Sequence, residues 1–103
     1  MQEITPTELS TLEQAVIIDV READEVAVMS VPGALHLPMS SFLDHLEDVP
    51  REETVYVLCH SGGRSARVTG YLEQQGYDAV NVTGGILAWS ASGLPVQRAT
   101  DAG

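Results

Sequence analysis

The chain contains no lysine, one cysteine and no long apolar run. Its basic residues are arginines alone: Arg21, Arg51, Arg64, Arg67 and Arg98. Set against 15 Asp and Glu they leave a net charge of −10. A phosphate backbone needs a basic face, so nucleic acid is excluded as a partner. The same charge excludes an anionic membrane surface and favours solubility. A single cysteine cannot close an internal disulfide, and no C-x-x-C pair is present for zinc. No apolar run approaches the ~20 residues of a bilayer crossing. Met1 to Leu12 lacks the basic-then-apolar order of a secretory signal. These absences predict a soluble, cytoplasmic protein in a reducing compartment, where a free thiol stays usable.

What is present is a chain of 103 residues, 44% apolar. That is enough for one compact core, so a single domain over 1–103 is expected, with its core at about 4–96 and a flexible tail over 97–103. Glu3-Ile4 predicts a short strand. Thr5-Pro6-Thr7-Glu8 then predicts a helix start, with Thr5 as cap, Pro6 at the first helical position and Glu8 as the capping-box acid; the helix is expected to run to about Gln14. Ala15–Val20 reads as a buried strand. Ala23–Val28 reads as a short helix. The turn Val31-Pro32-Gly33 leads into a strand over Ala34–Leu37. Ser40 or Ser41 is expected to cap a helix from Phe42 to Leu46. Thr54–Leu58, rich in β-branched and aromatic residues, is a strand. Ser65–Gln75 is the clearest helix, with Ala66, Val68, Thr69, Tyr71 and Leu72 as its inner face and Gly76 beyond its end. Ala79–Val82 is the last strand, and Gly84-Gly85 opens a helix to about Ser92. Strands alternating with helices predict an α/β domain with a mainly parallel sheet, whose ligands bind at the carboxyl ends of the strands.

The most informative segment is Val55 to Arg67. The cysteine, Cys59, sits where the strand ends and a Gly-rich loop leads into a helix. Gly62 and Gly63 can turn tightly and expose their N–H groups. Successive N–H groups curling round one point form an anion-binding nest, and the unpaired donors of the first helical turn, at Arg64 or Ser65, point at the same place. Such a setting favours the thiolate, with a pKa of about 3.5–7.5 in place of ~8.5. Arg64 adds a bidentate clamp if its side chain faces the bowl, and His60 reads either as an aid to proton transfer or, more simply, as an exposed loop residue. His36 and His45 show no ligand pattern and read as structural or surface residues. The acidic surface opposes an anion, but exposed charges are screened beyond ~8 Å at physiological salt, whereas the loop donors act at ~3 Å. The local field is therefore expected to decide binding.

Taken in order, Ile18-Asp19-Val20-Arg21-Glu22, Val31-Pro32-Gly33-Ala34, Leu35-His36-Leu37-Pro38, Cys59-His60-Ser61-Gly62-Gly63-Arg64-Ser65, Gly76-Tyr77, Val82-Thr83-Gly84-Gly85, Trp89 and Gly93-Leu94-Pro95 resemble the rhodanese (thiosulfate sulfurtransferase) domain family. The likeness extends from about Ile4 to Val96. It implies a three-layer α/β domain with a five-stranded, mainly parallel sheet flanked by helices. It implies a sulfurtransferase that takes sulfane sulfur from thiosulfate or a persulfide, holds it as a Cys59 persulfide, and passes it to cyanide, a small thiol or a protein thiol partner. No cofactor and no metal are implied. Loop N–H groups from His60 to Ser65 would stabilise the persulfide anion. Asp19 and Arg21 would brace the loop, and Gly84, Gly85 and Trp89 would pack beneath it. The chain departs from many relatives at Met29-Ser30, before the Pro-Gly-Ala motif, and at His60, where they carry a basic residue. The second departure removes a fixed cation beside the sulfur and favours a neutral or carrier-bound donor. Two other readings compete. A cysteine phosphatase or arsenate reductase has a similar loop but five residues between cysteine and arginine; here only His60, Ser61, Gly62 and Gly63 intervene, a tighter bowl better suited to one sulfur atom. A non-catalytic sulfur carrier, redox sensor or regulatory module needs the same bowl as the enzyme.

Overall fold

A computed structural model describes residues 1–99. Five parallel strands form the central sheet: β1 (Gln2–Ile4), β2 (Val16–Asp19), β4 (Leu35–His36), β5 (Val55–Leu58) and β6 (Ala79–Val82), in the order β1-β6-β5-β2-β4. The helices are α1 (Pro6–Ser10), α2 (Ala23–Val28), α3 (Gly63–Gln74) and α4 (Gly85–Ala91). A second sheet pairs β3 (Met29–Ser30) antiparallel with β7 (Gln97–Arg98). The expected α/β fold with a parallel five-stranded sheet is thus the one observed. No helix of the described residues is long and apolar enough to cross a membrane.

Alternation along the strands divides the core in two. Val55, Val57 and Cys59 share one face with Ile18, Val20, Val68 and Leu72, on the side of α3. Leu58, Val82, Ile86 and Trp89 fill the other, on the side of α4. Cys59 therefore continues the α3-facing row of β5, one residue past the strand end.

Several elements are shorter or of another kind than the sequence predicts. The capping box at α1 forms as expected: Glu8 N–H donates to Thr5 Oγ1 at 3.2 Å and Thr5 N–H to Glu8 Oε1 at 3.1 Å. The helix nevertheless ends at Ser10, and the chain turns at Gln14, which takes a φ of 57°. No α-helix forms over Phe42–Leu46. A 3-10 run, Met39–Asp48, follows Pro38 and is interrupted at Ser41 and His45. Ser40 does not cap it; its N–H and hydroxyl both donate to the Glu22 carboxylate. On α3 the buried face is Ser65, Val68, Thr69 and Leu72. Gln97 and Arg98, within the expected tail, pair with β3; the expectation for 100–103 lies outside the described residues.

Candidate active site

The Cys59 loop joins β5 to α3. Gly62 N–H donates to Cys59 Sγ at 3.1 Å, and the Ser65 hydroxyl lies 3.3 Å from the same sulfur. Gly62 makes the turn possible with a φ of 113°, a region that L side chains avoid. Gly63 has no such requirement: its φ is ordinary and a Cβ there would meet nothing within 4 Å. The crest of the loop, at His60, Ser61 and Gly63, is exposed, while Cys59 beneath it is 1% exposed. Burial pushes the Cys59 thiol pKa up. The Ser65 hydroxyl and the backbone N–H groups of Ser65, Gly62 and Ser61 pull it down and prevail, so the thiol lies below its ordinary value.

The beginning of α4 fixes the loop from below. Ile86 N–H donates to the Cys59 carbonyl at 2.9 Å and Leu87 N–H to that of His60 at 3.1 Å. These free donors of the first helical turn are used to hold loop backbone, which leaves the α3 end facing the sulfur. The approach is so close that a Cβ on Gly85 would run into the Cys59 and His60 carbonyls. Trp89 closes the other end of the helix, with its indole N–H donating to Pro95 O at 2.8 Å.

Two residues that the sequence did not single out act around the bowl, one beneath it and one beside it. Asn81, on β6 beside β5, accepts from the Ser65 hydroxyl through Oδ1 at 2.6 Å, and its Nδ2 lies 3.5 Å from the Gly62 carbonyl. It ties the helix start to the sheet. The available signal was a polar residue inside the buried strand Ala79-Val80-Asn81-Val82. The other is Glu25 on α2. Arg64 does not reach over the sulfur as a free clamp, since its Nη1 pairs with Glu25 Oε2 at 3.0 Å. The pairing holds the Arg64 pKa above and the Glu25 pKa below their ordinary values; Cys59 lies near enough to add to the effect on Arg64.

Asp19 and Arg21 form a buried pair at the end of β2, with Nη2 2.9 Å from Oδ2. The guanidinium also donates to the Met29 carbonyl at 2.6 Å and to that of Glu25 at 3.4 Å. The bonds of this pair run to α2 and β3, so it fastens the wall next to the loop and does not contact the sulfur. His36, with Nε2 2.7 Å from the Arg21 carbonyl, belongs to the same support. Arg21, Glu25, Val28, Met29, His60, Arg64 and Ile86 line an open depression of about 300 Å³ beside the Cys59 loop.

Comparison with known proteins agrees with this architecture. The sequence profile of the Rhodanese-like domain matches residues 5–92. A sulfurtransferase of Allochromatium vinosum is 39% identical over 89 residues, covering 85% of this chain and 83% of that protein. Thiosulfate sulfurtransferase GlpE of Actinobacillus succinogenes is 35% identical over 101 residues, covering 94% and 91%. Among solved structures, a rhodanese-like domain protein from Staphylococcus aureus superposes with a TM-score of 0.83 at 41% identity, covering 86% of this chain and 91% of its own. A rhodanese-related protein from Thermoplasma volcanium gives 0.89 at 30% identity, covering 94% and 98%. A single thiol at the carboxyl end of a central parallel strand, cradled by the N-terminus of the next helix, is thus set in a fold shared along nearly the whole chain, and the protein belongs to the rhodanese-like domain family.

Proposed function

We propose that this protein is a sulfurtransferase that carries sulfane sulfur on Cys59. The observation that carries the reading is the convergence of the Gly62 N–H, at 3.1 Å, and the Ser65 hydroxyl, at 3.3 Å, on one sulfur. The Cys59 thiolate attacks the outer sulfur of a donor such as thiosulfate. A new S–S bond forms to Cys59, the donor S–S bond breaks, and its electron pair leaves with sulfite. The persulfide anion that remains is held by the same donors. Cyanide or a thiol then attacks the terminal sulfur and leaves as thiocyanate or as a new persulfide, returning the thiolate. His60, Ser61 and Gly63 shape the loop around this exchange, while Asp19 and Arg21 hold the neighbouring wall. Cytoplasmic conditions, which keep thiols reduced, suit the cycle.

Intact-mass measurement after exposure to thiosulfate tests the proposal. The expected result is a gain of one sulfur atom that cyanide removes, with many thiocyanate molecules formed per chain. Cys59→Ser is expected to load nothing while keeping the native circular dichroism. Sulfur transfer by a folded Cys59→Ser protein would refute the assignment. Loading of one sulfur per chain without turnover would make the protein a carrier and not a catalyst.

A further inference from the structure

Arg64 and Arg21 are the arginines of the depression beside the Cys59 loop, and both are engaged. Arg21 is buried in its pair with Asp19. Arg64 is bound at 3.0 Å to Glu25, and both side chains remain about one-third exposed, at 33% and 37%. Glu25 is held in place by its own helix, since its carboxylate also accepts from Glu22 N–H at 3.3 Å. Glu22, whose charge also reaches Arg64, is anchored on Ser40 at 2.6 Å. An anion entering the depression therefore meets a guanidinium already neutralised by Glu25, the nearby charge of Glu22, and a surface of net charge −10. The bowl around Sγ, in contrast, is built of dipoles that suit a single negative charge at the sulfur.

We propose that Glu25 sets donor specificity: by occupying Arg64 it makes the depression discriminate against dianionic sulfur donors and favour sulfane-sulfur donors of lower charge. The inference rests on the sulfurtransferase reading and adds the class of donor. Thiosulfate carries two charges, whereas an alkyl thiosulfonate presents the same outer sulfur with one. In both, the Cys59 thiolate takes the outer sulfur and the S–S electron pair leaves, with sulfite in the first case and with an alkylsulfinate in the second. Binding groups other than charge are then nearly matched, and the ratio of kcat/KM for the two donors reports the field at the site.

A donor pair of thiosulfate and methanethiosulfonate, with cyanide as acceptor, tests the inference on wild type and Glu25→Gln. Removing one carboxylate from the wall that the extra donor charge approaches is expected to change the rate ratio about fivefold, equivalent to roughly 1 kcal/mol. The thiosulfate-to-thiosulfonate ratio is therefore expected to rise about fivefold in Glu25→Gln, with little change in thiosulfonate use. A ratio within twofold of wild type in the folded variant would overturn the role of Glu25 while leaving sulfur transfer standing. Absence of loading from either donor in the wild type would overturn both. Glu25→Met, which removes the charge without adding an amide to the helix start, gives the same readout if Glu25→Gln does not fold.

Discussion

At Cys59 two opposed effects are balanced within a few ångströms. Burial favours the neutral thiol, and hydrogen bonds favour the thiolate. The net shift is downward because donors from Ser61, Gly62 and Ser65 act together. Ser65 is central, since its hydroxyl also lies 2.6 Å from Asn81 Oδ1 and 3.2 Å from the Gly62 carbonyl. One hydroxyl carries one proton, so Asn81 both positions Ser65 and competes for its hydrogen bond. Ser65→Ala removes a donor to a charged group, an interaction of about 1.5–3 kcal/mol. The expected outcome is a Cys59 pKa nearer the ordinary thiol value and persulfide loading at least tenfold slower near neutral pH, partly recovered at higher pH. A loading rate equal to wild type across the pH range would show that the hydroxyl is structural only. The cysteine, the loop and Ser65 were legible in the sequence because they are neighbours along it. Asn81 was not, because its contact depends on the register that sets it beside Val57.

At the level of elements, the site is made by how closely α4 approaches the loop. The sequence shows Gly84-Gly85 ahead of a short helix, but not what each glycine avoids; a Cβ on Gly84, at a φ of 77°, would run into the Ala88 side chain. In the structure Gly85, at a φ of 59°, presses against the carbonyls of Cys59 and His60. Gly85→Ala is expected to destabilise the protein by about 2 kcal/mol or more, from left-handed strain together with the clash. Gly63→Ala, with open space and an ordinary φ, is expected to remain within about 0.5 kcal/mol of wild type. Urea denaturation measures both, and equal stabilities for the two variants would contradict the proposed packing. Elements with local signals were legible. The Thr5–Glu8 capping box and the apolar β5 run specify themselves. The 3-10 run at Met39–Asp48 was not, because Ser40 is drawn to Glu22, a residue of another element. The β3–β7 pairing joins segments far apart in sequence and left no local trace.

Over the whole molecule, the net charge of −10 raises the cost of a further negative charge at Cys59. The local donors win because they act at hydrogen-bond distance, whereas surface carboxylates act through screened solvent. The Arg64–Glu25 pair belongs to the same balance: composition showed few cations, but only the fold shows that the arginine near the sulfur is already occupied. The measurement that tests the account most directly is the ultraviolet thiolate absorbance of wild type against pH, with Cys59→Ser as the blank. This signal does not require a reagent to reach the buried sulfur. The group is depressed in the folded protein, so half of the absorbance should be present below the ordinary thiol value of ~8.5. Added salt, by screening the acidic surface, should move the midpoint slightly lower. A midpoint at or above the value of a free thiol would contradict the claim that the Gly62–Ser65 bowl makes Cys59 a nucleophile.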